Sequence, residues 1–90
     1  MPLNEKEKKA IIEERIHRSA CFQRVFAGPE GIEVLDFIDT FAGYKNDTFD
    51  PDPYLSAYKA GVRALSIFIH NVLEQDIEKI TKKLKEKENG

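Results

Sequence analysis

The sequence predicts an all-α fold of three helices, and three observations support this class. Apolar residues recur at intervals of three and four along long segments. Four prolines and five glycines leave most of those segments unbroken, and no segment alternates with the two-residue period of a strand. Ninety residues are enough for one domain, 1–90, and no more. We expect residues 79–90, which are rich in charge, to form a fraying C-terminal tail.

The first helix is predicted over about residues 4–26. Asn4 precedes Glu7 by three positions, a spacing similar to a capping box. Gly28 and Pro29 end the helix, because glycine suits a left-handed terminus and proline cannot continue the helical hydrogen bonds. The buried face is predicted to include Ile12, Ile16, Ser19, Ala20, Gln23 and Phe26.

The second helix is predicted over about residues 29–42. Pro29 suits the first helical position, which needs no N–H donor. Glu30 and Glu33 lie in the first turns, where acidic groups interact favourably with the helix dipole. Gly43 is the expected C-terminal glycine.

The third helix is predicted to be long, over about residues 53–87, and to pack antiparallel to the first. Asp52 is a candidate N-cap before Pro53, and Asp50 belongs to the preceding turn. Phe49 is the one large apolar residue of this polar loop, and we expect it to fill space under the loop.

Gly61 stands out inside this helix, because an interior glycine costs about 1 kcal/mol relative to alanine. Ala57, Ala60 and Ala64 surround it. We predict that Gly61 marks a close crossing by the first or second helix; the alternative is a crossing by a partner's helix.

The far end of the long helix is predicted to be a docking surface, carried by Ile77, Ile80 and Leu84. A helix over 4–26 spans about 34 Å and one over 53–87 about 52 Å, at roughly 1.5 Å per residue. Antiparallel packing would then leave these three aliphatic residues in water. We expect another copy of the chain to cover them; the alternative is a frayed tail.

Charge is unevenly distributed along the chain, although the net charge is only −2. The segments 1–26 and 57–90 each carry +2, whereas 27–56 carries −6. The acidic segment 30–52 is either a solvated face or a docking surface for a basic partner.

The composition argues against nucleic acid as a partner. The arginines of the first helix, Arg15, Arg18 and Arg24, are diluted by neighbouring glutamates, and the pI is about 5.7. The longest uncharged run, residues 64–73, is about half the length of a membrane span. With no secretory signal visible, we expect a cytoplasmic protein that does not bind a membrane.

No pattern of residues predicts catalysis. Asp47, Asp50 and Asp52 lack the spacing and the glycine of a calcium loop. His17 and Cys21 share one helix face, but a zinc site would need two further ligands. We therefore expect no enzyme activity, no metal, no cofactor and no small-molecule substrate.

An ordered series of short motifs in the central segment resembles a family of small tailed-bacteriophage proteins. The motifs are Arg24-Val25-Phe26, Gly31-x-x-Val34-Leu35, Phe49-Asp50-Pro51-Asp52-Pro53 and Tyr58-x-x-Gly61-x-Arg63, within residues 22–72. The resemblance implies a phage origin and expression in the cytoplasm of a host bacterium. It implies no catalytic or binding residue.

Two functions remain open from the sequence. The first is a non-enzymatic interaction protein, a small virion or assembly component that self-associates into a homo-oligomer. The second is a phage effector that binds a host protein and inhibits or redirects it.

Overall fold

The computed structural model describes residues 2–89, and these form four helices. In chain order they are α1 (Glu5–Ala27), α2 (Pro29–Ala42), α3 (Pro53–Leu73) and α4 (Ile77–Asn89). No strand occurs between residues 2 and 89. The all-α class is therefore confirmed, but the three-helix arrangement is wrong, because the predicted third helix is two helices.

The first helix begins as its capping residues predict. The Asn4 side chain accepts a hydrogen bond from the backbone N–H of Glu7 at 2.8 Å, and its amide donates to the Glu7 carboxylate at 3.0 Å. The first bond satisfies a backbone N–H that a helix terminus leaves unpaired, and the second holds the two side chains together. At the other end only Gly28 separates α1 from α2.

The third and fourth helices are separated at residues 74–76. Asp76 accepts a hydrogen bond from the backbone N–H of Lys79 at 3.0 Å and so caps the start of α4. From α1, the Gln23 amide donates to the carbonyl oxygens of Leu73, at 3.3 Å, and Gln75, at 3.1 Å. Because both sides of the break are satisfied by hydrogen bonds, the chain can turn there without proline or glycine.

Helix α4 runs antiparallel to α1. Its first residues follow Gln75, beside Gln23, whereas Leu84 lies near Leu3 and Ile12 at the start of α1. Ile77, Ile80 and Leu84 are half-buried, and α1 is the helix that α4 contacts. Most of the segment expected to fray is helical through Asn89; Gly90 lies outside the described residues.

The loop between α2 and α3 lies along the N-terminal half of α3. Gly43 ends α2 in the left-handed region, with φ of 70°. The Arg63 Nε donates to the carbonyl oxygen of Tyr44 at 2.8 Å, and the Ser56 hydroxyl donates to that of Thr48 at 3.1 Å. The loop is therefore bonded to the helix that follows it.

The four helices form a thin slab with a small core. The chain measures 54 × 39 × 14 Å, with a radius of gyration of 17.3 Å. Buried apolar side chains of the described residues are Ala42, Ile69 and Val72, and the most deeply buried side chains are the small ones of Ser19 and Ser66. Many large apolar side chains of α2 and α3 are instead exposed.

Candidate interaction surfaces

An apolar groove lies between α2 and α3. Its volume is ≈ 770 Å³ and it is open to solvent. None of the side chains around it is charged: they are Phe37, Ile38, Phe41 and Ala42 from α2, and Ala57, Tyr58, Gly61, Val62, Leu65 and Ile69 from α3. We call these ten residues the α2–α3 groove. Phe41, on its rim, is 84% exposed.

An exposed stripe with coiled-coil spacing runs along α3 beside this groove. Its members are Tyr54, Tyr58, Gly61, Leu65 and Phe68, separated by four, three, four and three residues. All five are exposed, and they fall within an arc of about 80° at 100° per residue. Such a 3.5-residue repeat is typical of a seam that packs against another helix. Of these five residues, Phe68 contacts an aromatic side chain of α1: its ring centroid lies 6.2 Å from that of Phe22.

Gly61 lies in the middle of the stripe, in open space. A Cβ atom added there would meet nothing within 4 Å. The close crossing by the first or second helix that the sequence predicted is therefore absent from the described chain. The reason is that α2 lies to one side of Gly61, across the groove, rather than over it.

Gly31 is the glycine that a close helix approach does require. A Cβ atom there would collide with the carbonyl oxygen of Val25 and lie 2.8 Å from the Cα of Phe26. Both obstacles are backbone atoms of the last turns of α1, so no side-chain rotation removes them. The sharp turn at Gly28 brings the start of α2 this close to α1.

Polar contacts fix the two walls of the groove relative to each other. His70 Nε2 of α3 lies 2.8 Å from Asp39 Oδ2 of α2. The His70 ring stacks on Tyr44 with 4.1 Å between centroids, and the Arg63 guanidinium lies 6.0 Å from the centre of the same ring. These contacts lie at positions 63 and 70, on the face of α3 opposite the exposed stripe at 100° per residue. They can therefore hold the two walls together while the stripe stays exposed.

The three interaction candidates on α4 do not form an exposed stripe. Ile77, Ile80 and Leu84 are half-buried, because the break at residues 74–76 folds α4 back against α1. The argument that they would be left in water assumed one continuous helix and is wrong. What remains is a smaller hollow of ≈ 470 Å³ between Leu84 and the first turns of α1, which lysines and Glu5 also line.

The aspartates of the loop serve turn and cap geometry. Asp52 accepts a hydrogen bond from the backbone N–H of Tyr54, and Asp50 accepts one from that of Asp52, each at 2.9 Å. Asp50 also pairs with the Lys59 ammonium at 3.1 Å. The pKa of Asp50 lies below its ordinary value of 3.8, first because of the bond from Asp52 and then because of Lys59.

Phe49, in the same loop, is 73% exposed and does not fill space beneath it. Its backbone N–H donates to the Asp47 carboxylate at 2.9 Å, so the loop is shaped by polar contacts instead. Together with the Asp39–His70 contact, these bonds give several carboxylates of the acidic segment 30–52 a partner within the chain.

Cys21 and His17 are neighbours on α1, with 3.6 Å between Cys21 Sγ and His17 Nε2. The Arg24 guanidinium lies 3.3 Å from the same sulfur. No group of three or more possible metal ligands occurs among residues 2–89. None of the helices in that range is long and apolar enough to cross a membrane.

Sequence reasoning missed the α2–α3 groove, although a signal for it was present. The spacing of Tyr54, Tyr58, Gly61, Leu65 and Phe68 can be read in the sequence, but only Gly61 was singled out, and it was predicted to mark a crossing within the chain. Apolar spacing shows which residues share a helix face. It does not show whether the same chain covers that face.

Comparison with known proteins places the chain in a family. No curated protein and no solved structure matches it. The model of the Bbp19-like phage protein family matches residues 22–85, which include all of α2 and α3 and most of α4. The match extends the segment 22–72 that carried the resemblance, and its length shows that this chain belongs to the Bbp19-like phage protein family.

Proposed function

We propose that this protein is a non-enzymatic phage interaction protein that self-associates, acting as a small virion or assembly component. One observation carries the proposal: the folded chain exposes far more surface than a compact monomer of its size. Its solvent-accessible surface is 7300 Å². A compact monomer of 10.3 kDa exposes about 5,400 Å².

The excess of about 1,900 Å² per chain is the size of an obligate interface, which buries roughly 1,000 to 2,500 Å² on each partner. The radius of gyration supports the same reading, since 17.3 Å compares with about 12 Å for a compact 90-residue domain. Many of the exposed residues are large and apolar. Monomers rarely expose contiguous apolar patches beyond a few hundred Å².

A binding role fits the described chemistry better than catalysis does. The polar clusters tie helices and loop together: Asp39 with His70, Asp50 with Lys59, and Gln23 with the end of α3. The α2–α3 groove is lined by uncharged, mostly apolar residues. Family membership supports a phage role without specifying it.

Light scattering of the purified full chain, coupled to size exclusion, tests self-association. We expect a mass of at least twice 10.3 kDa at micromolar concentration. A mass of one chain at 100-fold higher concentration would contradict the proposal. It would favour an effector that needs a host protein to cover the same surface.

Mass spectrometry of purified phage particles tests the virion role separately. A stoichiometric amount of the chain in the particle supports a virion component. Its absence from particles, with self-association intact, leaves an assembly factor that departs before maturation. Affinity capture of a host protein at equal stoichiometry by the monomeric chain would support the effector function instead.

A further inference from the structure

We propose that the α2–α3 groove is the face through which two copies pair, and that their α3 helices cross at Gly61 on a two-fold axis. This inference rests on the proposed self-association and names the surface that performs it. The occupant is a second copy of the same chain.

The location follows from where the exposed apolar side chains are concentrated. Phe37 and Phe41 stand on one wall, and Tyr58 and Leu65 on the other, all of them exposed. Tyr54, which is 86% exposed, extends the stripe toward the start of α3. The hollow beside α4, by contrast, includes lysines and Glu5. Of these two hollows, the α2–α3 groove is therefore the more apolar.

The chemistry of the groove allows a second copy of the chain to occupy it. At a two-fold interface each residue near the axis meets its own copy, so a charge at the centre would face a like charge. The ten residues of the groove include no charged side chain. Although the surrounding segment is acidic, Asp39 is turned away into its contact with His70. The face is thus compatible with its own copy.

The position of Gly61 defines the crossing point. It is the middle member of the stripe, with Tyr54 and Tyr58 before it and Leu65 and Phe68 after it. Because a Cβ atom added at Gly61 would meet nothing within 4 Å, the missing side chain leaves room for another backbone. Helices approach most closely where the side chains at the contact are small. The larger residues on both sides would then interlock about that centre, with Tyr58 of one copy beside Leu65 of the other.

The two copies together would form a four-helix layer from two α2 and two α3 helices. That arrangement resembles the helix bundles in which apolar seams of facing helices share one core. It would also thicken the slab, whose short dimension is 14 Å. The His70–Asp39 contact would keep the walls of each groove in place for pairing.

Charge substitutions with a matched control test the face. Leu65 and Ile32 are 59% and 58% exposed and both lie in helices. Ile32 lies on the side of α2 opposite Phe41, nine residues and about 900° of helical rotation away. Leu65→Glu should weaken pairing by at least about 100-fold, because the carboxylate would be buried without a partner. Ile32→Glu should leave the dissociation constant within about threefold, since it adds an exposed charge. Both are measured by sedimentation equilibrium, with circular dichroism to verify folding.

Disulfide crosslinking tests the crossing point, in a Cys21→Ser background so that the native thiol does not interfere. Gly61→Cys should form a covalent dimer on mild oxidation, because only residues near a two-fold axis can bridge to their own copy. Tyr54→Cys is the control. It lies on the same stripe, about 10 Å along the helix from Gly61, and should remain reduced.

The outcomes separate this inference from the proposed function. If the native chain is a monomer, both are wrong. If it associates but Leu65→Glu associates equally well, self-association stands and this face is wrong. If Leu65→Glu fails to fold, the crosslinking experiment decides whether two copies pair through this face. If Gly61→Cys forms no covalent dimer, or if Tyr54→Cys forms one equally well, the crossing at Gly61 is wrong. A native assembly of odd order overturns the two-fold pairing.

Discussion

Replacing Gly31 with alanine should destabilise the fold, although alanine is the better helix former. The added Cβ would collide with the Val25 carbonyl oxygen and approach the Phe26 Cα to 2.8 Å. Because these are backbone atoms, α2 must shift relative to α1 to accommodate the methyl group. The nearest comparable position is Gly28, only three residues earlier, where a Cβ meets nothing within 4 Å.

The expected magnitude is the difference between two opposing effects. Overpacking costs about 3 kcal/mol, the upper part of its usual range, because the obstacles are backbone atoms. The higher helix propensity of alanine offsets about 1 kcal/mol of this cost. The net loss for Gly31→Ala is therefore about 2 kcal/mol. For a domain of this size that lowers the melting temperature by roughly 8 to 16 °C.

Thermal melts followed by circular dichroism at one fixed protein concentration provide the measurement, since association makes the melting temperature concentration-dependent. Gly28→Ala is the control and should cost only a few tenths of a kcal/mol, as alanine is a poorer N-cap than glycine. If Gly31→Ala melts within 2 °C or so of the native chain, the close approach of α2 to α1 is wrong. An equal loss for both variants would point to the connection as a whole rather than to the contact.

Three further predictions concern the loop before α3. Asp52→Ala should lower stability by about 1 kcal/mol in thermal melts, because it removes the N-cap of α3, whereas Asp47→Ala, which removes only a turn contact, should cost less; equal losses would contradict the cap. The folded-state pKa of Asp50 is depressed, so its contribution is fully present above pH 3.8 and is lost as the pH falls through the folded pKa. Asp50→Asn should therefore show a shallower loss of stability below pH 3.8 than the native chain, and parallel acid melts would refute this. Calcium, magnesium or zinc should leave the melting temperature unchanged, because any ion that prefers the folded state would raise it; a rise abolished by Asp50→Asn would overturn the turn-and-cap interpretation.

The local features of the fold were predictable because they depend on neighbouring residues. Asn4 accepts a hydrogen bond from the backbone N–H three positions on, and Asp52 accepts one from the backbone N–H two positions on. Both bonds form within a single turn, so residue type and spacing suffice to predict them. The junction at Gly28 and Pro29 was also located correctly, although Gly28 has φ of −79° instead of the left-handed conformation expected of it. The start of every helix up to α3 could therefore be predicted within about one residue.

The break between α3 and α4 was not predictable on the same basis. Residues 74–76 contain neither proline nor glycine, and the apolar spacing continues across them. The break depends on a side chain about 50 positions away, since the Gln23 amide of α1 donates hydrogen bonds to the carbonyl oxygens of Leu73 and Gln75. Missing this contact led to the docking surface at Ile77, Ile80 and Leu84, which needed an uninterrupted helix.

Gly61 was misjudged and Gly31 was overlooked for a common reason, and this reason bears on function. Gly61 was conspicuous because it interrupts a helix-forming sequence, whereas Gly31 lies near a helix start, where glycine attracts no notice. Yet the close contact within the chain is at Gly31, and Gly61 is open. A glycine that weakens α3 and has no close contact within its own chain would be explained by a contact from outside it. The exposed seam centred on Gly61, which is part of the surplus surface of the slab, fits the same explanation. A second copy crossing at Gly61 would satisfy both.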